Sequence, residues 1–142
     1  MKPEELRIGN WVNSAECGIA QVGSLDSRSR YIGLIDPMGG SHDGTTIDSV
    51  LGIELTEEWL VKFGFVKKVD HEQQDFEWGI LSKANTRRGL GLYKPEEKEN
   101  IWFVTFREDV GCGWADLNEI EYVHQLQNLH YALTGTELTI QG

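Results

Sequence analysis

The sequence predicts an α+β protein: a small SH3-like β-barrel at the N-terminus, a short capped helix, an antiparallel β-meander, and a C-terminal helix packed on the sheet. Three observations carry this reading. The first 50 residues alternate short apolar runs with Gly and Asn; "LTEEWLVKFGF" obeys every local rule for a brief helix; and "YVHQLQNLHYALTG" repeats its apolar residues at helical spacing before a glycine stop. The 142 residues fit a single domain, 1–142, with residues 1–55 as a barrel-like β lobe and 56–142 as helix, meander and closing helix.

In order along the chain, "LRIGNWVNSAECGIAQVGSL" reads as small strands joined by tight turns, and "RYIGLID" adds a strand that Pro37 ends. The Gly-rich "PMGGSHDGTT", residues 37–46, is expected to be a loop, with Ile47 to Leu51 returning as a short strand. At "LTEEWLVKFGF", Thr56 is placed to cap the helix and Glu57 and Glu58 sit in the first turn, where backbone N–H groups favour acid. Leu55 and Leu60 form a hydrophobic staple, and Gly64 is the left-handed residue that returns Phe65 onto Leu60. Two turns are too few to persist alone, so Trp59, Leu60 and Phe63 must pack on a sheet.

"FEWGILS", "GLGLYK" and "ENIWFVTFRED" supply the meander. The last has apolar residues on both faces, Ile101 and Phe103 against Trp102, Val104 and Phe106, and is expected to lie inside the sheet. "DLNEIEYV" leads through a short strand into the closing helix, whose stripe is Val123, Leu126, Leu129, His130 and Leu133, with Gly135 as its stop. His124 and His130 fall about 120° apart around that helix and cannot share a metal. His130 reads as a core histidine with its ring nitrogens satisfied, while Gln125, Gln127 and Asn128 are placed to bond backbone at a sheet edge or to meet water.

Composition narrows the function. At 39% hydrophobic residues with five Trp, the chain is that of a folded protein. The net charge is −10 and both halves are acidic, which disfavours binding to a nucleic-acid backbone. No apolar run approaches the ~20 residues of a membrane span, and the acidic start lacks a signal-peptide core, so a cytoplasmic protein is expected. Cys17 and Cys112 lack metal-ligand spacing and read as free thiols. No catalytic motif is present, and adjacent Ser41, His42 and Asp43 point in different directions, unlike a triad. Neither a cofactor nor a metal is expected.

Basic clustering in so acidic a chain singles out one candidate ligand surface. Arg28 and Arg30 alternate toward one side of a hairpin beside Tyr31, while Lys83, Arg87, Arg88 and Lys94 surround a Gly-rich segment with Tyr93. Guanidinium forks and loop N–H groups clamp anions, and tyrosines stack bases. The plain alternative is that these charges solubilise turns and blunt edge strands.

At "GIELTEEWLVKFGF" and "YVHQLQNLHYALTGTELTI", and in the opening "LRIGNWV", the chain resembles a family of small proteins of unassigned function encoded by phages and prophages. The resemblance covers both ends and the first helix, and residues 67–119 stand outside it. It implies a shared scaffold and a phage setting in the host cytoplasm, and transfers no catalytic residue. The expectation is a non-enzymatic binding module, an accessory or counter-defence protein acting on a host protein or small ligand. The alternative is a sponge for an anionic nucleotide-type defence signal, held by the Arg/Tyr surface. A weaker third reading is an acidic DNA mimic. The exposed aromatics expected of such a chain also allow a homo-oligomer.

Overall fold

The computed structural model describes residues 3–26, 28–67, 78–81, 89–95, 100–107 and 115–141. The fold is α+β, and among the described residues it has two antiparallel five-stranded sheets and two α-helices. The chain divides into two units, one comprising Met1–Glu54 with Tyr122–Leu129, the other Leu55–Glu121 with His130–Gly142.

In the first unit β1 (Trp11–Ser14), β2 (Gly18–Leu25), β3 (Tyr31–Ile35), β4 (Ser41–Thr46) and β5 (Val50–Leu51) form a sheet in the order β4-β3-β2-β1-β5. Strand alternation sends Val12, Ala20, Val22, Ile32 and Leu34 to one face, where Leu6, Ile47 and Val50 join them in a buried cluster. Among the described residues β4 and β5 are the edges of this sheet.

Two expectations are corrected here. The segment read as a loop contains β4, which pairs with β3 through Ile35↔Ser41, Leu34↔His42 and Ile32↔Thr45. Its register shifts between Ile32 and Leu34, and Gly44 lies beside that shift at φ +83, so the glycine that suggested a loop serves a bulge. Residues 47–51 are not one strand: Ile47–Ser49 forms a 3-10 turn, and only Val50 and Leu51 pair with β1.

The start of α2 (Val123–Thr134) also belongs to this unit. Gln127, fully buried, accepts from the Trp11 N–H at 2.8 Å and donates to the Gly9 carbonyl at 3.0 Å. Asn128 donates to the Glu5 carbonyl and accepts from Arg7 and Asn10. The amides of the closing helix thus bond the chain that leads into β1. Gln125 accepts from the Tyr122 N–H at 2.9 Å, one half of a capping box.

In the second unit β6 (Val66–Lys67), β7 (Trp78–Leu81), β8 (Gly89–Tyr93), β9 (Trp102–Arg107) and β10 (Ala115–Ile120) form a meander in the order β10-β9-β8-β7-β6. Trp78, Leu90, Leu92, Trp102, Val104 and Ile120 are buried, as are Leu55, Trp59, Leu60 and Phe63 of the α1 region. Helix α1 (Glu57–Lys62) is built as its residues dictate. The Trp59 N–H reaches the Thr56 hydroxyl, and the Phe65 N–H returns to the Leu60 carbonyl at 2.9 Å with Gly64 at φ +89, a Schellman stop. The Trp102 indole donates to the Leu55 carbonyl at 3.0 Å and ties the helix entry to β9. As expected, β9 lies within the sheet, although its second face is only half covered at Phe103.

Candidate functional site

Directly paired residues of an antiparallel sheet project from the same face, so register assembles surfaces that sequence distance conceals. Tyr93 pairs with Phe103, and Phe103 with Glu119, giving one cross-strand row of two aromatics and a carboxylate. In the neighbouring row Gly91 pairs with Thr105, and Thr105 with Asp116. Between Asp116 and Glu119 the pairing shifts, because β10 spends three steps where β9 spends two. This bulge sets Leu117 and Asn118 beside the row.

The result is an open groove of about 500 Å³, walled by Tyr93, Phe103 and Val104 on one side and by residues 116–119 of β10 on the other. The two rings stack with centroids 5.1 Å apart at 27° and are half-buried, while Asp116, Asn118 and Glu119 are exposed. Chemically, the groove offers π faces, two carboxylates and a side-chain amide.

The sequence-predicted surface fares unevenly. Arg28, Arg30 and Tyr31 lie at the β2–β3 turn, all exposed. Arg28 and Arg30 occupy the turn itself, so strand alternation does not set their direction. The Arg28 N–H is held by the Asp26 carboxylate, and the Arg30 guanidinium contacts both oxygens of Asp48 at 2.5 Å in an exposed pair. Tyr93 forms part of the groove, whereas Lys94 turns to the other face of β8, its ammonium 5.7 Å from the centre of the Trp102 ring. Arg28, Arg30 and Tyr31 belong to the first unit, Tyr93 and Lys94 to the second. Lys83, Arg87 and Arg88 lie outside the described residues, as do His71 and Cys112.

Sequence reasoning did not single out Asp116, Leu117, Asn118 or Glu119, and placed Phe103 on a covered strand face and not in a site. The available signal was the two-faced apolar pattern of "IWFVTF", which demands some cover for Phe103.

The three described histidines, His42, His124 and His130, sit in structural settings. His130 is buried and its Nδ1 lies 2.8 Å from the Thr136 carbonyl, as expected of a satisfied core imidazole. His124, also buried, stacks on Tyr122 at 5.8 Å, and its Nδ1 has no hydrogen-bond partner among the described residues. Burial pushes the pKa of both imidazoles down. His42 lies 2.8 Å from Asp36 and, with the Gly40 and Met38 N–H groups, holds that carboxyl below its usual range, which fastens the β3–β4 turn. Cys17 is a free thiol. Among the described residues, no group of three or more His, Cys, Asp or Glu could hold a metal ion, and no helix is long and apolar enough to cross a membrane.

No family model, curated protein or solved structure matches the chain.

Proposed function

We propose that the protein is a non-enzymatic binding module, a phage-encoded accessory or counter-defence protein working in the host cytoplasm by engaging a host protein. The observation that carries the reading is the β8–β10 groove, an exposed concavity with a half-covered aromatic pair on a sheet whose other face is core. Aromatic pairs left partly in water are the usual anchors of recognition surfaces. The phage setting rests on the resemblance at "LTEEWLVKFGF" and "VHQLQNLHYALTG".

The first sheet reads as an SH3-like small barrel. Four meandering strands, a 3-10 turn, and a short fifth strand returning antiparallel to β1 support this reading, together with a core drawn from one face of the sheet. The test of the function is a screen of the purified protein against a host metabolite extract and a host protein extract. The expected result is no turnover, together with a saturable protein partner lost on Phe103→Ala. Turnover of a metabolite that a point substitution abolishes refutes the proposal.

A second reading is favoured by one observation, the exposure of Tyr31 (56%) beside two exposed guanidiniums at the same turn. It is a sponge for an anionic nucleotide-type signal. It predicts thermal stabilisation by a cyclic dinucleotide or a nucleotide-ribose signal, abolished in Arg28→Ala/Arg30→Ala. Absence of any shift across such a panel removes it.

A further inference from the structure

We infer that the start of α2 is an acid-released latch: protonation of His124 drives its ring from its seat against Gly52 and frees residues 122–125 from the segment that follows β5. The inference goes beyond the binding reading and does not depend on what the β8–β10 groove holds.

Three features of the seat reject an imidazolium. His124 is buried at 3% exposure, and its Nδ1 is closed to solvent and has no hydrogen-bond partner among the described residues. A neutral ring keeps one nitrogen without a proton, whereas the imidazolium carries N–H on both and so leaves a buried, charged donor unmet at Nδ1. The ring also stands at the second residue of α2, where the free N–H ends of a helix place positive partial charge, and the first turn holds no acid to offset it. The seat is tight as well. Tyr122 stacks on the ring with centroids 5.8 Å apart at 13°, and a Cβ on Gly52 would lie 3.1 Å from the imidazole Cε1.

The charged groups that act on the ring do not reverse this. The Glu5 carboxylate, from the 3-10 turn Pro3–Glu5, favours the cation and the N-terminal ammonium opposes it, while burial is the largest influence and holds the imidazole below its ordinary pKa. Beside the stacked Tyr122, Glu54 follows Gly52 by two residues and is exposed. His130 provides the internal comparison. It is buried in the same helix, yet its Nδ1 lies 2.8 Å from the Thr136 carbonyl, an acceptor that remains when the ring is charged. The two imidazoles differ in the one respect that decides whether a second proton can be held.

The bonds around the ring set how far the opening runs. The Val123 N–H donates to the Ile53 carbonyl at 2.8 Å, Tyr122 bridges to Glu54, and the Tyr122 N–H donates to the Gln125 side chain. Expelling the ring breaks these first. One turn on, Gln127 and Asn128 fasten the helix to the chain entering β1 through carboxamides, which do not titrate. The opening therefore stops short of Gln127, and it uncovers Val123, fully buried in the closed state.

The test follows the full-length protein by NMR from pH 7.5 to 4.5, recording imidazole Cε1–H shifts, Cα shifts along α2 and hydrogen-exchange protection. The expected result is that Cα shifts of residues 122–125 move toward random-coil values with the midpoint of the His124 ring, while those of residues 127–134 stay helical. Protection of the Val123 amide should fall by up to about tenfold per pH unit, the limit for one proton. His124→Phe should hold that change to less than about twofold, and Gly52→Ala, which crowds the seat, should give the open pattern already at pH 7.5.

A His124 ring that titrates while residues 122–125 stay helical overturns the latch, as does a ring that remains neutral and seated to pH 4.5. Loss of native shifts over the whole chain at one midpoint replaces a local release by global unfolding and also overturns it. So does a dependence that survives His124→Phe and disappears in His130→Gln. Should His124→Phe not fold, Gly52→Ala and the wild-type midpoints decide, and a closed helix start in Gly52→Ala counts as refutation.

Discussion

Replacing Gln127 by alanine tests whether the start of the closing helix holds the chain that enters the first sheet. The carboxamide is fully buried and serves two backbone groups at once, accepting from the Trp11 N–H at 2.8 Å and donating to the Gly9 carbonyl at 3.0 Å. The two losses are unequal. Gly9 keeps a donor in the Gln21 carboxamide at 3.1 Å, whereas Trp11 loses the acceptor that the structure gives its N–H. Losing this acceptor costs the part-buried donor about 1–3 kcal/mol. The space left by the shortened side chain adds ~1 kcal/mol, for a total of about 2–4 kcal/mol. At ~3 °C per kcal/mol for a chain of this size, the melting temperature should fall by roughly 6–12 °C. Gln127→Glu should be worse at neutral pH, because it sets a buried carboxylate against the Gly9 carbonyl. Chemical denaturation gives the stability change, and amide hydrogen exchange gives its location, with Trp11 among the amides that lose most protection. A change below about 0.5 kcal/mol in both variants, with Trp11 protection unaltered, refutes the reasoning.

Other outcomes follow from the same geometry. Gly64→Ala places a Cβ at φ +89 and 3.1 Å from the Gln141 side chain, and should cost about 1–2 kcal/mol in denaturation, with Gly64→Asn milder. Thr56→Ala removes an N-cap bond that is long at 3.5 Å, so the loss should sit at the low end of the capping range, ~0.5–1 kcal/mol. His124 and His130 both have pKa values lowered by burial, so the unfolded chain binds more protons than the folded one as pH falls through 6.5 toward the lower folded-state values. Their stabilisation should be complete above 6.5 and fade below it, with a limiting slope of about 1.4 kcal/mol per pH unit for each imidazole. His124→Phe should flatten the profile measured by denaturation between pH 7.5 and 5; an unchanged slope counts against buried neutral histidine as its source.

What the sequence disclosed is whatever residues dictate to their own neighbours. The cap, acid turn and glycine stop of α1 were readable because each involves residues within five positions of one another, and the structure places them as read. The closing helix was readable for the same reason, including its stop: the Gly135 N–H returns to the Tyr131 carbonyl at 2.8 Å with Gly135 at φ +72. Strand β4 was not. "SHDGTT" lies at a sheet edge with Thr45 as its one buried residue, so it carries no alternation to detect, and its bulge glycine imitates a loop. His130 was legible as a core residue from its place on the apolar stripe. His124 was not, because its burial depends on Gly52 leaving room for Tyr122 and the imidazole: a Cβ at residue 52 would lie 2.7 Å from the tyrosine ring and 3.1 Å from the histidine.

The groove belongs to a third category, legible only once register is known. Tyr93, Phe103 and Glu119 are separated by 10 and 16 positions, and no local rule connects them. Shifting β8 by one residue against β9 would replace Tyr93 beside Phe103 with Lys94 or Leu92, and would turn an aromatic pair into a cation beside an aromatic or an aliphatic patch. The bulge in β10 has the same status: were the three steps from Asp116 to Glu119 paired regularly, alternation would send one of these two carboxylates to the core face. The acidic side of the candidate site therefore depends on a single irregularity of pairing, and deleting Leu117 or Asn118, which leaves Asp116 and Glu119 two steps apart in regular alternation opposite Thr105 and Phe103, should keep both carboxylates on the same face. Such a deletion removes the bulge and keeps both carboxylates on one face, so it separates the irregularity of pairing from the charge it presents.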